Sequence, residues 1–129
     1  MKTAVRYYSR FGNTEKIARA IAEGAGVEAR SIADEQALPE RAEVLFLGGA
    51  PYANIMAPEL KTYAEGLSAG MVGKVILFTT SNWSRRTVLA LKKLLREKHI
   101  SCEDEYFYAH MLNISGRIEA AKEFGRKMG

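Results

Sequence analysis

The chain has 129 residues, a formal net charge of +4 and one cysteine, Cys102. This length predicts one domain, residues 1–129, with a genuine core, and one cysteine excludes an intramolecular disulfide and any cysteine-cluster metal site. The positive charge is spread along the chain, so it does not indicate nucleic-acid binding. No apolar run approaches the roughly 20 residues that span a bilayer, and no secretory signal precedes the first strand-like segment, so we expect a cytoplasmic location.

The first half of the chain predicts two inner strands, one outer strand and a helix. Residues 4–9 (AVRYYS) are mostly apolar, apart from Arg6, and they precede a helical pattern of apolar residues over 14–25. Residues 27–32 (VEARSI) mix polar and apolar side chains, which suits the edge of a sheet. Residues 44–49 (VLFLGG) form a continuous apolar run, which is typical of a strand buried on both faces of a parallel sheet.

The second half continues the alternation of helices and strands. A helix is predicted over 57–67, with a proline near its first turn, and the apolar run 75–80 (VILFTT) predicts a third inner strand. Residues 86–98 show helical periodicity with a basic polar face, and residues 115–128 show helical periodicity again. Between these helices, 102–109 (CEDEYFYA) mixes acidic and apolar residues and predicts the second outer strand.

Strands that alternate with helices predict parallel βαβ units with right-handed crossovers, and hence a doubly wound α/β sheet. Outer positions for the second and fifth strands give the strand order 2-1-3-4-5, with helices on both faces. In such a sheet the ligand lies beyond the carboxyl ends of the strands, where strands 1 and 3 diverge. This geometry brings together three loops, residues 9–14, 49–57 and 80–86.

The first of these loops, SRFGNT (9–14), has the composition of an anion site. Its backbone N–H groups and the positive end of the following helix attract negative charge. Ser9 and Thr14 offer hydroxyl donors, and Asn13 offers an amide. Gly12 lets the backbone approach a ligand closely because it has no Cβ. The loop lacks the Gly-Lys-Ser/Thr ending of a nucleotide P-loop, and an ordinary Asn or Thr helix cap is the alternative interpretation.

Each of the other two loops carries one large aromatic side chain among small and polar residues. Tyr52 lies in GGAPYANIMAPEL (48–60), and Trp83, the only tryptophan, lies in TTSNWSRR (79–86). A large ring on a polar loop is poorly explained by packing alone, whereas a planar ligand would use its face. The alternative is that the two rings fold over the rim of the core.

Two segments resemble the flavodoxin family. YYSRFGNTEKIARAIAEG (7–24) is similar to the phosphate loop and first helix of that family, whose pattern is Thr/Ser-x-x-Gly-Asn-Thr. GGAPYANIMAPELKTYAEGL (48–67) is similar to the loop after the third strand of small flavodoxin-like proteins. The resemblance implies an FMN-binding protein that carries electrons between redox partner proteins. The FMN-binding residues that it implies are Ser9, Arg10, Phe11, Gly12, Asn13, Thr14, Ala50, Pro51, Tyr52, Ala53, Asn54, Thr80, Ser81, Asn82 and Trp83.

The resemblance also implies a division of labour within the site. Residues 9–14 would hold the phosphate, and Tyr52 and Trp83 would lie against the isoalloxazine ring. The family holds the phosphate with neutral donors, so a direct charge from Arg10 would depart from its pattern. His110, at the end of the fifth predicted strand, lies near enough to the site to donate a proton, and a purely structural role is the alternative.

The charge of the chain departs from the family as well, because electron-transfer flavodoxins are typically acidic. Arg85 and Arg86 stand at the expected N-terminus of a helix, where the helix dipole disfavours cations. They suggest an acidic redox partner or a phosphorylated nicotinamide cofactor. The alternative is a solvated basic helix face with no partner.

Two other functions are open for this fold. An FMN-dependent NAD(P)H or quinone reductase would use the same cofactor site, whereas a flavin-free interaction domain would keep the fold alone. An electron-transfer protein is favoured over a self-contained enzyme. A response-regulator receiver is disfavoured because Gly48 and Gly49 stand where its acidic phosphoacceptor belongs. A low-molecular-weight phosphatase is disfavoured because residues 9–14 contain no cysteine.

Overall fold

Five parallel strands form the central sheet. Numbered in chain order, they lie side by side as 2-1-3-4-5, which confirms the predicted order. The computed structural model describes residues 2–34, 37–52 and 55–129. The three inner strands are long and the two outer strands are short, as the mixed composition of the outer segments predicted. The strands are β1 (Thr3–Tyr8), β2 (Ala29–Ser31), β3 (Ala42–Gly49), β4 (Val72–Ser81) and β5 (Phe107–His110).

Helices cover both faces of the sheet. The first and fourth helices of the chain pack on one face, and the second and third helices pack on the other. A small antiparallel hairpin, formed by Pro51–Tyr52 and Ile55–Met56, follows β3, and a 3₁₀ turn at Ser115–Arg117 precedes the last helix. The helices are α1 (Asn13–Ala25), α2 (Pro58–Glu65), α3 (Arg86–Glu97) and α4 (Ile118–Met128).

The fifth strand is shorter than the sequence predicted. The segment 102–109 was expected to pair throughout, but only Cys102 forms an isolated bridge, to Val75, before pairing resumes at Phe107. The acidic residues between them instead form exposed ion pairs, for example Asp104 with Arg96 at 2.6 Å. Burial raises the pKa of the Cys102 thiol, which keeps it protonated and poorly reactive.

The core consists of two layers, because alternate side chains of each inner strand point to opposite faces of the sheet. Phe46 and Phe78 pack against α1 and α4, and Leu47 packs against α2 and α3. Burial on both faces explains why the inner strands are continuous apolar runs. Arg6 is the exception in β1: it is 5% exposed, and its Nη1 donates to the carbonyl of Val5 at 3.0 Å.

Helices α1 and α4 approach each other so closely that two glycines are required. A Cβ on Gly24 would lie 1.8 Å from the carbonyl oxygen of Lys122, and one on Gly125 would lie 2.0 Å from that of Ile21. Backbone atoms cannot move aside as a flexible side chain can. The crossing therefore fixes the position of α1, whose N-terminus opens onto the site described below. Within the described ranges, no helix has the length and apolarity needed to cross a membrane.

Replacing Gly125 by Ala is expected to destabilise the protein although alanine favours helices. The helix-propensity gain is about 1 kcal/mol, whereas forcing a methyl group against a backbone oxygen costs about 1–3 kcal/mol or more. A contact of 2.0 Å with a backbone oxygen belongs to the upper end of that cost, so we expect a net loss of about 2 kcal/mol in the free energy of unfolding, measured in urea. Gly70→Ala is the control, because nothing lies within 4 Å of a Cβ there. Equal stability of the two variants would contradict the close crossing.

Candidate functional site

A cavity of about 450 Å³ lies at the carboxyl edge of the sheet, where β1 and β3 diverge. Its volume is in the range of small-molecule sites. All three predicted loops contribute to its wall. The predicted residues that line it are Ser9, Phe11, Asn13, Thr14, Ala50, Pro51, Tyr52, Thr80, Ser81 and Asn82, together with Ser84 and Met111, which were not predicted.

A second cavity, of about 460 Å³, lies behind Tyr8 and Glu59 and is lined mainly by apolar residues around α2. It has a similar volume but lies off the point where the strands diverge. No helix of the described chain begins there with a loop of hydroxyl and amide groups. We therefore take the first cavity as the candidate site.

The loop before α1 leaves the N-terminus of this helix open. Gly12 occupies the N-cap position with φ of 93°, and no side chain in the described part of the chain caps the helix. The alternative interpretation of an Asn or Thr cap is therefore wrong, because Asn13 and Thr14 are already helical. The hydroxyl oxygen of Ser9 accepts a hydrogen bond from the Gly12 N–H at 3.0 Å, which closes the loop. Uncapped first-turn N–H groups with the positive end of the dipole form an anion site.

Two buried hydroxyls join the loop before α1 to the end of β4. Thr14 Oγ1 and Thr80 Oγ1 lie 2.7 Å apart, and both residues are buried. A hydroxyl has one hydrogen to donate, so one of the pair donates to the other and the second keeps a free hydrogen. Both residues line the cavity. The pair therefore offers one further neutral donor to an anion in the site.

Arg10 does not line the cavity; its side chain clamps Tyr52 instead. The guanidinium carbon lies 4.2 Å from the centre of the Tyr52 ring, and Nη2 lies 3.6 Å from Glu59. The backbone N–H of Arg10 donates to the Tyr52 hydroxyl at 2.8 Å. Burial raises the pKa of Tyr52, so its hydroxyl keeps its proton at neutral pH.

Glu59 completes this clamp from the first turn of α2. The Tyr8 hydroxyl donates to Glu59 Oε2 at 2.6 Å. This hydrogen bond holds the pKa of Glu59 below its ordinary value, and the charge of Arg10 acts in the same direction. Glu59 is therefore ionised at neutral pH and helps to hold the guanidinium over the Tyr52 ring. The ring of Phe11 meets Tyr52 edge-on, with 5.9 Å between ring centres.

Trp83 stands at the rim of the cavity rather than in its wall. It is 76% exposed, and its φ of 68° is unusual for a bulky residue. Its backbone N–H donates to the Tyr108 hydroxyl at 2.8 Å, and that hydroxyl donates to the Ser81 carbonyl at 2.9 Å. The indole is stacked on Tyr108, with ring planes 19° apart, and meets His110 edge-on.

His110 orients the amide of Asn82. Its Nδ1 accepts a hydrogen bond from the Leu112 N–H at 3.1 Å, so in the neutral ring the hydrogen is on Nε2. Nε2 lies 2.9 Å from Asn82 Oδ1 and donates to it. The amide nitrogen of Asn82 is then left to donate toward the cavity. The sequence suggested His110 as a proton donor. The structure links it to the cavity by its hydrogen bond to Asn82, which lines the wall.

Two predicted residues, Ala53 and Asn54, lie outside the described residues. Two lining residues, Ser84 and Met111, were missed. Ser84 belongs to the third predicted loop, and Met111 follows β5, whose carboxyl end reaches the same edge of the sheet as the three loops. Met111 N donates to the Ser81 carbonyl at 2.9 Å, which fixes it there.

Comparison with known proteins supports the fold. No protein-family model matches the sequence, and no curated protein matches it. Among solved structures, the chain is similar to a flavodoxin from the domain Archaea, with a TM-score of 0.78, 21% identity, and coverage of 99% of this chain and 96% of that one. It is also similar to a Fusobacterium nucleatum flavodoxin bound to flavin mononucleotide, with a TM-score of 0.72, 14% identity and coverage of 99% and 97%.

A larger protein contains a similar domain. The rubredoxin oxygen:oxidoreductase of Desulfovibrio gigas matches with a TM-score of 0.71 and 16% identity, over 98% of this chain and 35% of that one. Identities at this level show the fold alone. The chain has the flavodoxin fold, which is the fold that the resemblance implied.

Replacing Tyr108 by Phe is expected to release the loop that carries Trp83. The hydroxyl accepts from Trp83 N–H and donates to the Ser81 carbonyl, so its removal breaks both hydrogen bonds. We expect about fivefold faster hydrogen exchange at the Trp83 amide, because one such bond contributes about 1 kcal/mol. Indole fluorescence anisotropy should fall as well, and it reports Trp83 alone. Tyr106→Phe is the control, since its ring contacts Lys92 outside this network. An unchanged exchange rate in Y108F would show that Tyr108 does not hold the loop.

Proposed function

We propose that this protein binds FMN in the cavity at the carboxyl edge and carries electrons between redox partners. The observation that carries the proposal is the uncapped N-terminus of α1, which opens onto a cavity walled by ten of the residues implied for FMN binding. The similar structure of the Fusobacterium flavodoxin bound to flavin mononucleotide gives further support.

The donors around α1 fit a phosphate ester. The first-turn N–H groups, the Ser9 hydroxyl and the free hydrogen of the Thr14–Thr80 pair would hold the phosphate. These donors are neutral, so the helix dipole and the hydrogen bonds together stabilise the negative charge. A Cβ at Gly12 would meet nothing within 4 Å, so the backbone there is open to a group of this size.

Tyr52 would lie against the flavin ring, and Asn82 would donate to its polar edge. When bound, FMN supplies the electron-accepting ring system, and the protein supplies orientation and electrostatics. The clamp of Arg10 and Glu59 fixes Tyr52 before the ligand arrives, which lowers the ordering cost of binding. To stack on the flavin ring, Trp83 would have to turn away from Tyr108, on which it is stacked. Without that movement it would cover the exposed edge of the flavin from the rim of the cavity.

The first test is the uptake of FMN compared with riboflavin, which lacks the phosphate. We expect apoprotein to bind FMN at micromolar concentration or below, and riboflavin about 100-fold more weakly, because two charge-assisted hydrogen bonds contribute about 1.5 kcal/mol each. The measurement is quenching of flavin fluorescence on titration. Failure to bind either flavin would leave a flavin-free interaction domain. Rapid oxidation of NAD(P)H with a quinone acceptor by the loaded protein would assign a reductase instead of a carrier.

The second test asks what Arg10 does. If its side chain positions Tyr52, Arg10→Met should weaken FMN and riboflavin binding by a similar factor, about two- to fivefold, since a cation–π contact contributes about 0.5–1 kcal/mol. Arg19→Met is the control, because Arg19 pairs with Glu15 on the exposed face of α1. A loss confined to FMN would show that Arg10 contacts the phosphate, as the sequence had suggested.

A further inference from the structure

The exposed large hydrophobic side chains are gathered at one edge of the molecule. In a soluble protein such residues are normally scattered singly, and a group of them marks an interaction site. All those found among the described residues lie in the loops beyond the carboxyl ends of the strands or in the first turns of α3. They are Phe11, Ile55, Trp83, Leu89, Met111 and Leu112.

Contacts connect these residues around the mouth of the cavity. Phe11 and Met111 both line it, and Ile55 is paired with Tyr52 in the hairpin. Trp83 contacts His110, which lies directly before Met111 and Leu112. Helix α3, which carries Leu89, packs against the Ile55–Met56 strand.

Positive charge flanks this apolar group on α3. Arg85 and Arg86 are exposed and form no ion pair within the described part of the chain. They lie four and three residues before Leu89, so the three side chains share one side of the helix. Many other cations are paired, such as Arg96 with Asp104 and Lys122 with Glu23.

No acidic side chain offsets these arginines nearby in the sequence. The stretches 80–96 and 107–118 contain no Asp or Glu. The positive end of the α3 dipole lies at the same place and adds to the field. Two cations at a helix N-terminus, with no ion pair to any described residue, destabilise the free protein slightly, so the described part of the fold does not account for them.

We propose that these six apolar residues, with Arg85 and Arg86, form a docking surface for an acidic redox protein. This proposal rests on the proposed function, because the surface surrounds the mouth of the cavity in which FMN would bind. An apolar centre with charged residues at its rim is the usual anatomy of a protein interface. Arginines at the rim would steer an acidic partner toward the cavity and raise the association rate at low salt.

Charge argues against a second copy of this chain as the occupant. A symmetric contact through this surface would bring the same two arginines of each copy together. Like charges facing each other across an interface are unfavourable. An acidic partner would instead place carboxylates opposite Arg85 and Arg86, and opposite charges across an interface attract.

The test is titration of the FMN-loaded protein with two redox proteins of opposite charge, an acidic plant-type [2Fe–2S] ferredoxin and the basic cytochrome c. Binding is measured by calorimetry at several ionic strengths, and flavin content by absorbance. We expect salt-sensitive binding of ferredoxin, weakened about tenfold in R85Q/R86Q and also weakened in L89S. The control is R126Q/K127Q, which makes the same change in net charge at the far end of α4.

Several outcomes would overturn the docking surface. These are equal ferredoxin affinity in R85Q/R86Q and R126Q/K127Q, tighter binding of cytochrome c, or no binding of ferredoxin. Binding to phosphatidylserine vesicles in place of ferredoxin would assign the surface to a membrane. Ferredoxin binding by protein that takes up no FMN would support the surface while removing the proposed cofactor, so the two proposals fail separately.

Discussion

The parallel register of β1, β3 and β4 is the constraint on which the site depends. Tyr8 pairs with Gly49, and Gly49 pairs with Thr79, so the three strands end side by side. The chain leaves β1 toward α1 on one face and leaves β3 toward α2 on the other, which opens a cleft between them. At this edge the buried Thr14–Thr80 hydroxyl pair joins the first turn of α1 to the end of β4. The cavity is thus a consequence of strand order, and the loops only supply its chemistry.

The loops divide that chemistry between neutral donors and fixed aromatic rings. Arg10 lies in the loop before α1, yet its side chain contacts Glu59 and the Tyr52 ring and does not line the cavity. The Arg10 guanidinium attracts an anion in the cavity less strongly when held in this way, because the carboxylate of Glu59 already offsets part of its charge. The contribution of Arg10 is to hold the Tyr52 ring in one position. In the proposed site an anion would then be held by the dipole of α1 and by hydroxyl groups, which demand a ligand of the right shape as well as charge.

The sequence predicted the strand order and most of the cavity wall, because both follow from local patterns. Apolar runs that end in Gly, Ser or Thr identify buried strands and the loops after them. Three features depend on contacts between distant residues and could not be read locally. These are the clamp of Arg10 by Glu59, the hydrogen bonds of Tyr108 to the Trp83 loop, and the early end of pairing after Cys102. The alternative of an Asn or Thr cap stayed open for a related reason, since only the fold shows that α1 begins at Asn13.

Trp83 shows how the site and its surroundings are linked. In the described chain, His99 and Trp83 are the non-glycine residues with positive φ. His99 follows the end of α3, where the Ile100 N–H returns to the Leu95 carbonyl, so helix termination explains it. No helix end explains Trp83. Strain of this kind costs about 1 kcal/mol or more, and an indole that is 76% exposed recovers little of it by burial. The two hydrogen bonds of the Tyr108 hydroxyl therefore hold the exposed indole of Trp83 in place. At that position both the edge of a bound flavin and a partner protein would contact it.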